Sequence, residues 1–171
     1  MFARVLVETA VMNAELLAVL WIPMGGAGVI GLTYCGYLLF SVKNLTDGGE
    51  DVELKVPFEL GPALRFALAY ATILVISRAA QMFLGVTGVY ASAALSGIAG
   101  VNAITLSIAR MASAGTIAIG TASKAIVLAA MVNTAVKGGI VFVLGAIGLK
   151  KSILPALLLV LAAGLGLAYL A

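Results

Sequence analysis

The chain has 171 residues, 63% of them hydrophobic and 10% charged, with ten Lys and Arg, seven Asp and Glu, and a formal net charge of +3. Soluble domains carry about 45–50% apolar and about 25% charged residues, so this composition, with a mean hydropathy of +1.20, excludes a water-soluble globule, a disordered chain and a coiled coil. With no histidine and one cysteine, Cys35, the chain lacks the parts for thiolate or imidazole metal cages, Cys/His or Ser/His nucleophiles and intrachain disulfides, and its scattered cations form no basic stripe for nucleic acid.

The composition predicts an all-α integral membrane protein, a single domain over residues 1–171 built as a bundle of about six transmembrane helices. Residues 2–20 form the first predicted span, ending where Trp21-Ile22-Pro23 reads as an interfacial turn. Charges at Arg4 and Glu8 and the missing small-residue cleavage site are unlike a removable signal peptide. A glycine-rich second span covers residues 24–42. The polar loop 43–59 holds five of the seven acidic residues; its Asp47-Gly48-Gly49-Glu50-Asp51 run lacks the alternating oxygen ligands of an EF-hand and reads as a solvated turn.

Residues 62–84 and 89–110 form the third and fourth predicted spans, joined by a short turn and so antiparallel neighbours. The fifth and sixth cover 122–144 and 153–170. Six crossings place both termini on one side, and counting Arg4, Lys43, Lys55, Arg110 and Lys124 against Lys150, Lys151 and Arg78 makes that side cytoplasmic. A re-entrant fourth segment would reverse the parity. Arg65, Arg78 and Gln81 lie near helix ends, where long side chains reach the interface.

Small and polar residues concentrate in the fourth span, at Ser96, Gly97, Gly100, Asn102 and Thr105. One reading is a tight helix crossing, since small residues let backbones approach. The sharper one is a discontinuous helix near Gly97–Asn102, whose freed carbonyls, with Asn102 and Thr105, coordinate an ion or polar solute. Lys137 stands sixteen positions after Thr121 and ten before Ile147, some 15 Å or more from either at about 1.5 Å per residue, too deep for easy snorkelling. It is therefore expected to be buried in protein, with Asn133 one turn earlier on the same face. Its available partners are a carboxylate, Glu8 or Glu15, with Glu8 preferred, or a polar cluster of Asn133 and Asn102; Arg4 and Glu8, one turn apart, can pair with each other.

Four ordered blocks carry a family resemblance: Met1-Phe2-Ala3-Arg4-Val5-Leu6-Val7-Glu8; Pro57-Phe58-Glu59-Leu60 with Ser77-Arg78-Ala79-Ala80-Gln81; Ser96 to Ser107; and Asn133-Thr134-Ala135-Val136-Lys137. Together the chain resembles the C-terminal domain of unknown function that follows the MgtC domain in MgtC/SapB-type membrane proteins. That family commonly has aspartates where this chain has Gly100 and Asn102, so a carboxylate cation site implied by the resemblance is stripped of its charge here. The resemblance further implies a repeat-built domain of which this chain is the second part, without an MgtC domain, and in which the Arg4/Glu8 and Asn133/Lys137 helices are pseudo-symmetric counterparts.

The leading functional expectation is a transporter or channel-like protein for an ion or small polar solute, with Ser96, Gly97, Gly100, Asn102, Thr105, Asn133 and Lys137 along the path and Arg4 and Glu8 as charge partners. The alternative is a non-transporting membrane module that binds and regulates another membrane protein. No catalysis, cofactor or metal is expected; the expected partners are the lipid bilayer of a prokaryotic inner membrane and a second copy or another membrane subunit, with no nucleic acid.

Overall fold

The computed structural model describes residues 1–42, 60–145 and 147–170, and the described residues are all helix and short turns. Seven helices follow in order: α1 (Phe2–Met12), α2 (Ala14–Val42), α3 (Leu60–Phe83), α4 (Gly85–Ala99), α5 (Asn102–Ser113), α6 (Ile119–Leu144) and α7 (Ile147–Leu170). Three stretches, Ala14–Phe40, Ile119–Leu144 and Ser152–Leu170, are long and apolar enough to cross a membrane. The polar loop expected at 43–59 lies outside the described residues.

The first departure from expectation comes at Asn13. Residues 2–20 are not one span: the chain reverses at Asn13, whose backbone is extended and whose N–H closes the last turn of α1 on Thr9 O. The same residue starts α2, its Oδ1 accepting the Leu16 N–H at 2.9 Å, as an N-cap does. Because α1 folds back along α2, a Cβ placed on Gly28 would lie 3.7 Å from Phe2 Cβ. No turn forms at Trp21-Ile22-Pro23 either, since α2 runs through Pro23 for 29 residues. Pro23 is fully buried, and neighbouring helices can compensate its missing donor.

The second departure is the fourth predicted span, which divides between Ala99 and Asn102 into α4 and α5. The two halves double back. Gln81 of α3 donates from Nε2 to Ser92 Oγ and accepts at Oε1 from Ser107 Oγ, both at 3.1 Å, whereas fifteen residues of continuous helix would separate those serines by about 22 Å. Gln81 is thus 7% exposed, wedged into the mouth of the hairpin and not at an interface.

Helix directions follow from these contacts. The C-termini of α1 and α5 meet where Asn13 Nδ2 donates to Ser113 Oγ, which donates to Met12 O, both at 3.1 Å. At the other end Tyr34 OH donates to Ser152 O at 2.9 Å, tying the second half of α2 to the start of α7. Helices α2, α3, α6 and α7 therefore run the length of the bundle, while α1 and the α4–α5 hairpin enter from the Asn13 end. At 11 and 12 residues, α1 and α5 reach only about 16–18 Å, roughly half of a bilayer core.

The core lies where the half-helices meet α2 and α6, around Val5, Leu16, Leu20, Val89, Ala93, Ile104, Ile108 and Ile126. Large apolar side chains such as Leu32, Phe40, Leu68, Val75, Val143 and Leu158 are exposed. In water they would form patches well beyond a monomer's usual few hundred Å²; against lipid they are matched to their solvent.

Candidate functional site

Half-helices that stop midway leave space beyond their tips. A cavity of about 400 Å³ opens there, lined by Met1, Arg4, Tyr70, Ala99, Gly100, Val101, Asn102, Asn133 and Lys137. It joins the starts of α1 and α5, the hairpin tip and the facing sides of α3 and α6.

The tip is built by backbone accounting. Gly100 N–H closes the last turn of α4 on Ser96 O, and Val101 O accepts the Thr105 N–H of α5, leaving the carbonyls of the last α4 turn without the usual helical donors. Asn133 of α6 supplies one, its Nδ2 donating to Gly97 O at 2.8 Å, and its side chain is buried. Close approach makes that bond geometrically possible: a Cβ on Gly97 would stand 2.6 Å from Ala129 O and 3.0 Å from Val132 Cβ. No side chain caps α5, so its first amides at the cavity edge are uncapped.

Of the two cations of the lining, Arg4 has Glu8 within electrostatic reach, one turn on along α1. Lys137 is exposed to the cavity, a correction to its expected burial among partners, and no ion pair joins it to Glu8. Because α6 ends at Leu144, Lys137 is only about 10 Å from that end. A lysine at the centre of a lone helix costs about 2.5–3.5 kcal/mol on insertion scales; facing an open cavity and lying closer to the helix end both reduce that cost. Its stem also borders an apolar groove of about 360 Å³ between α6 and α7, lined by Gly138, Val141 and Leu157 among others. Arg4 is likewise exposed.

Of the residues singled out in the sequence, Gly100, Asn102, Asn133, Lys137 and Arg4 gather on this cavity. The others do not line it. Ser96 and Thr105 are buried at 1% and 0% exposure and Gly97 is packed on α6. Thr105 Oγ1 and Glu8 Oε2 are buried atoms without a hydrogen-bond partner. Tyr70, Ala99 and Val101 line the cavity although nothing in their spacing marked them. In length α1, with 11 residues, is matched by α5 with 12, while α6 has 26. Among the described residues no group of three or more metal-ligating side chains gathers.

Residues 1–145 match the family described as a domain of unknown function, DUF4010, and the chain belongs to that family. An uncharacterized protein of Aquifex aeolicus (strain VF5) is 40% identical over 108 residues, 63% of this chain and 46% of that relative; the matched part thus spans about half of the relative's length. No solved structure matches. Neither similarity links the chain to MgtC/SapB-type proteins.

Proposed function

We propose that the chain is a membrane transport protein, carrier or channel-like, that passes an ion or small polar solute through the cavity at the α4–α5 tip. The observation that carries this reading is the meeting of an interrupted helix and the polar side chains of Arg4, Asn102 and Lys137 on one cavity of about 400 Å³. Broken helices whose termini face a midplane cavity are a recurring way to hold a polar solute in lipid. Irregular backbone at that depth is tolerated only where it lines such a space or is buried in protein.

In place of six crossings we propose four, α2, α3, α6 and α7, with α1 and α4–α5 inserted from the Asn13 end to mid-depth. The compartment that suits a helical bundle of this kind is a prokaryotic inner membrane. We also retain kinship with the domain that follows MgtC in MgtC/SapB-type proteins, on the strength of the four ordered sequence blocks. Flux of labelled solutes into liposomes carrying the purified chain tests the reading: uptake above protein-free liposomes supports it. A tight, inert vesicle would favour the regulatory module, for which the apolar groove between α6 and α7 offers a seat to another membrane helix.

A further inference from the structure

Resting on the transport reading above, we infer that the solute held in the cavity is an anion, a small organic carboxylate or an inorganic oxyanion, gripped between Lys137 and Arg4. Among the described residues that line the cavity, the only charged side chains are these two, and both are cationic. Glu8, one turn beyond Arg4 on α1, does not line it. No carboxylate lines the cavity, and Arg4 is offset only from behind by Glu8, so the cavity surface keeps a net positive potential in which an anion replaces lost hydration.

The amides at the tip favour the same sign, while the carbonyls that end α4 oppose it. Asn102, itself exposed, opens α5, a helix of 12 residues with no side-chain cap, and the positive end of the helix dipole lies at this edge of the cavity. The amide of Asn133 is engaged on Gly97 O, which withdraws a carbonyl that would otherwise attract a cation. A guanidinium opposite an ammonium suits oxygen anions in particular, because arginine bonds carboxylate or phosphate through a planar fork. Size agrees: about 400 Å³ lies at the lower end of the range for small-molecule sites and exceeds what a single dehydrated metal ion would need.

The experiment uses the full chain in liposomes, with acetate, succinate, inorganic phosphate and chloride as anionic probes, rubidium and sodium as cations, and glycerol as a neutral solute. Binding is read separately as a thermal shift of the detergent-solubilised protein with the same probes. The expected result is uptake of at least one oxyanion, falling roughly tenfold or more in Lys137→Gln and in Lys137→Glu while Lys137→Arg retains most of it. Correct folding of each variant is checked by gel filtration, and Arg4→Gln provides a second, independent loss of charge.

Uptake of rubidium, sodium or glycerol without any anion keeps the transport reading and overturns the anion inference. Saturable oxyanion stabilisation that Lys137→Gln removes, with no flux of any probe, keeps the anion site and overturns transport. Anion uptake indifferent to both Lys137→Gln and Arg4→Gln shows that this cavity is not the site. Neither flux nor stabilisation overturns both.

Discussion

Replacing Asn133 by alanine takes the donor from Gly97 O in a buried setting, and an unpaired buried acceptor costs about 1–3 kcal/mol. Asn133→Ala is therefore expected to unfold at a lower temperature in detergent, whereas Asn102→Ala, at an exposed edge of the cavity, should move the midpoint little. At Gly97 a valine would push Cβ to 2.6 Å from Ala129 O, forcing α4 off α6; overpacking of this kind costs typically about 1–3 kcal/mol. Thermal unfolding monitored by circular dichroism checks all three. Much of this was legible in the residues: a glycine beside polar groups at membrane depth marks either a tight crossing or a broken helix, and the chain uses Gly97 for the first and Gly100 for the second. Lys137 was legible as an anomaly but not in its environment, since periodicity cannot reveal that the helices opposite stop halfway and leave it a cavity.

At the scale of helices, the breaks could be read more readily than the directions. Low helix propensity around Gly97–Asn102 forecasts an interruption, yet nothing in a propensity fixes the angle between the two halves; that depends on Gln81, far off in sequence, bridging Ser92 and Ser107. The turn at Asn13 did carry a local signal. Asn13 followed by Glu15 and an apolar run is a helix start, and it is overlooked when an apolar window is read only for length. Trp21-Ile22-Pro23 misleads for the converse reason, as proline inside a buried helix is tolerated where neighbours re-satisfy the backbone. The reversals have a direct test: in a Cys35→Ser background, Asn13→Cys with Ser113→Cys should form a disulfide under mild oxidation, their parent side chains being 3.1 Å apart. A straight run from residue 2 to 20 would instead carry residues 12 and 13 into the body of a membrane span; failure to cross-link in folded protein would refute the α1 fold-back.

For the whole molecule, the doubling-back of α4–α5 decides which segments share a side of the membrane. A single crossing at 89–110 would put the 43–59 segment and Gly148 on opposite faces. With α4 and α5 both opening at the Asn13 end, α2 and α6 run in the same direction, so the chain leaves α2 at Val42 and α6 at Leu144 on one face; Tyr34 bonded to Ser152 O is consistent with that geometry. In sequence, Lys43 and Lys55 lie between α2 and α3, and Lys150 and Lys151 belong to the first turns of α7, against Arg110 and Lys124 near the Asn13 end; on the proposed four-crossing topology the positive-inside tendency predicts a cytoplasmic Gly145 face. On that topology the end of α7 is predicted on the face opposite to the one expected for six crossings. Single cysteines introduced as Asp47→Cys, Gly148→Cys and Thr116→Cys on the Cys35→Ser background resolve the matter with a membrane-impermeant thiol reagent. In intact cells only Thr116→Cys should react from outside, and in inverted vesicles Asp47→Cys and Gly148→Cys should react together. Labelling of Asp47→Cys and Gly148→Cys from opposite faces would require a full crossing between α3 and α6 and would remove the tip, and with it the cavity, from the middle of the membrane.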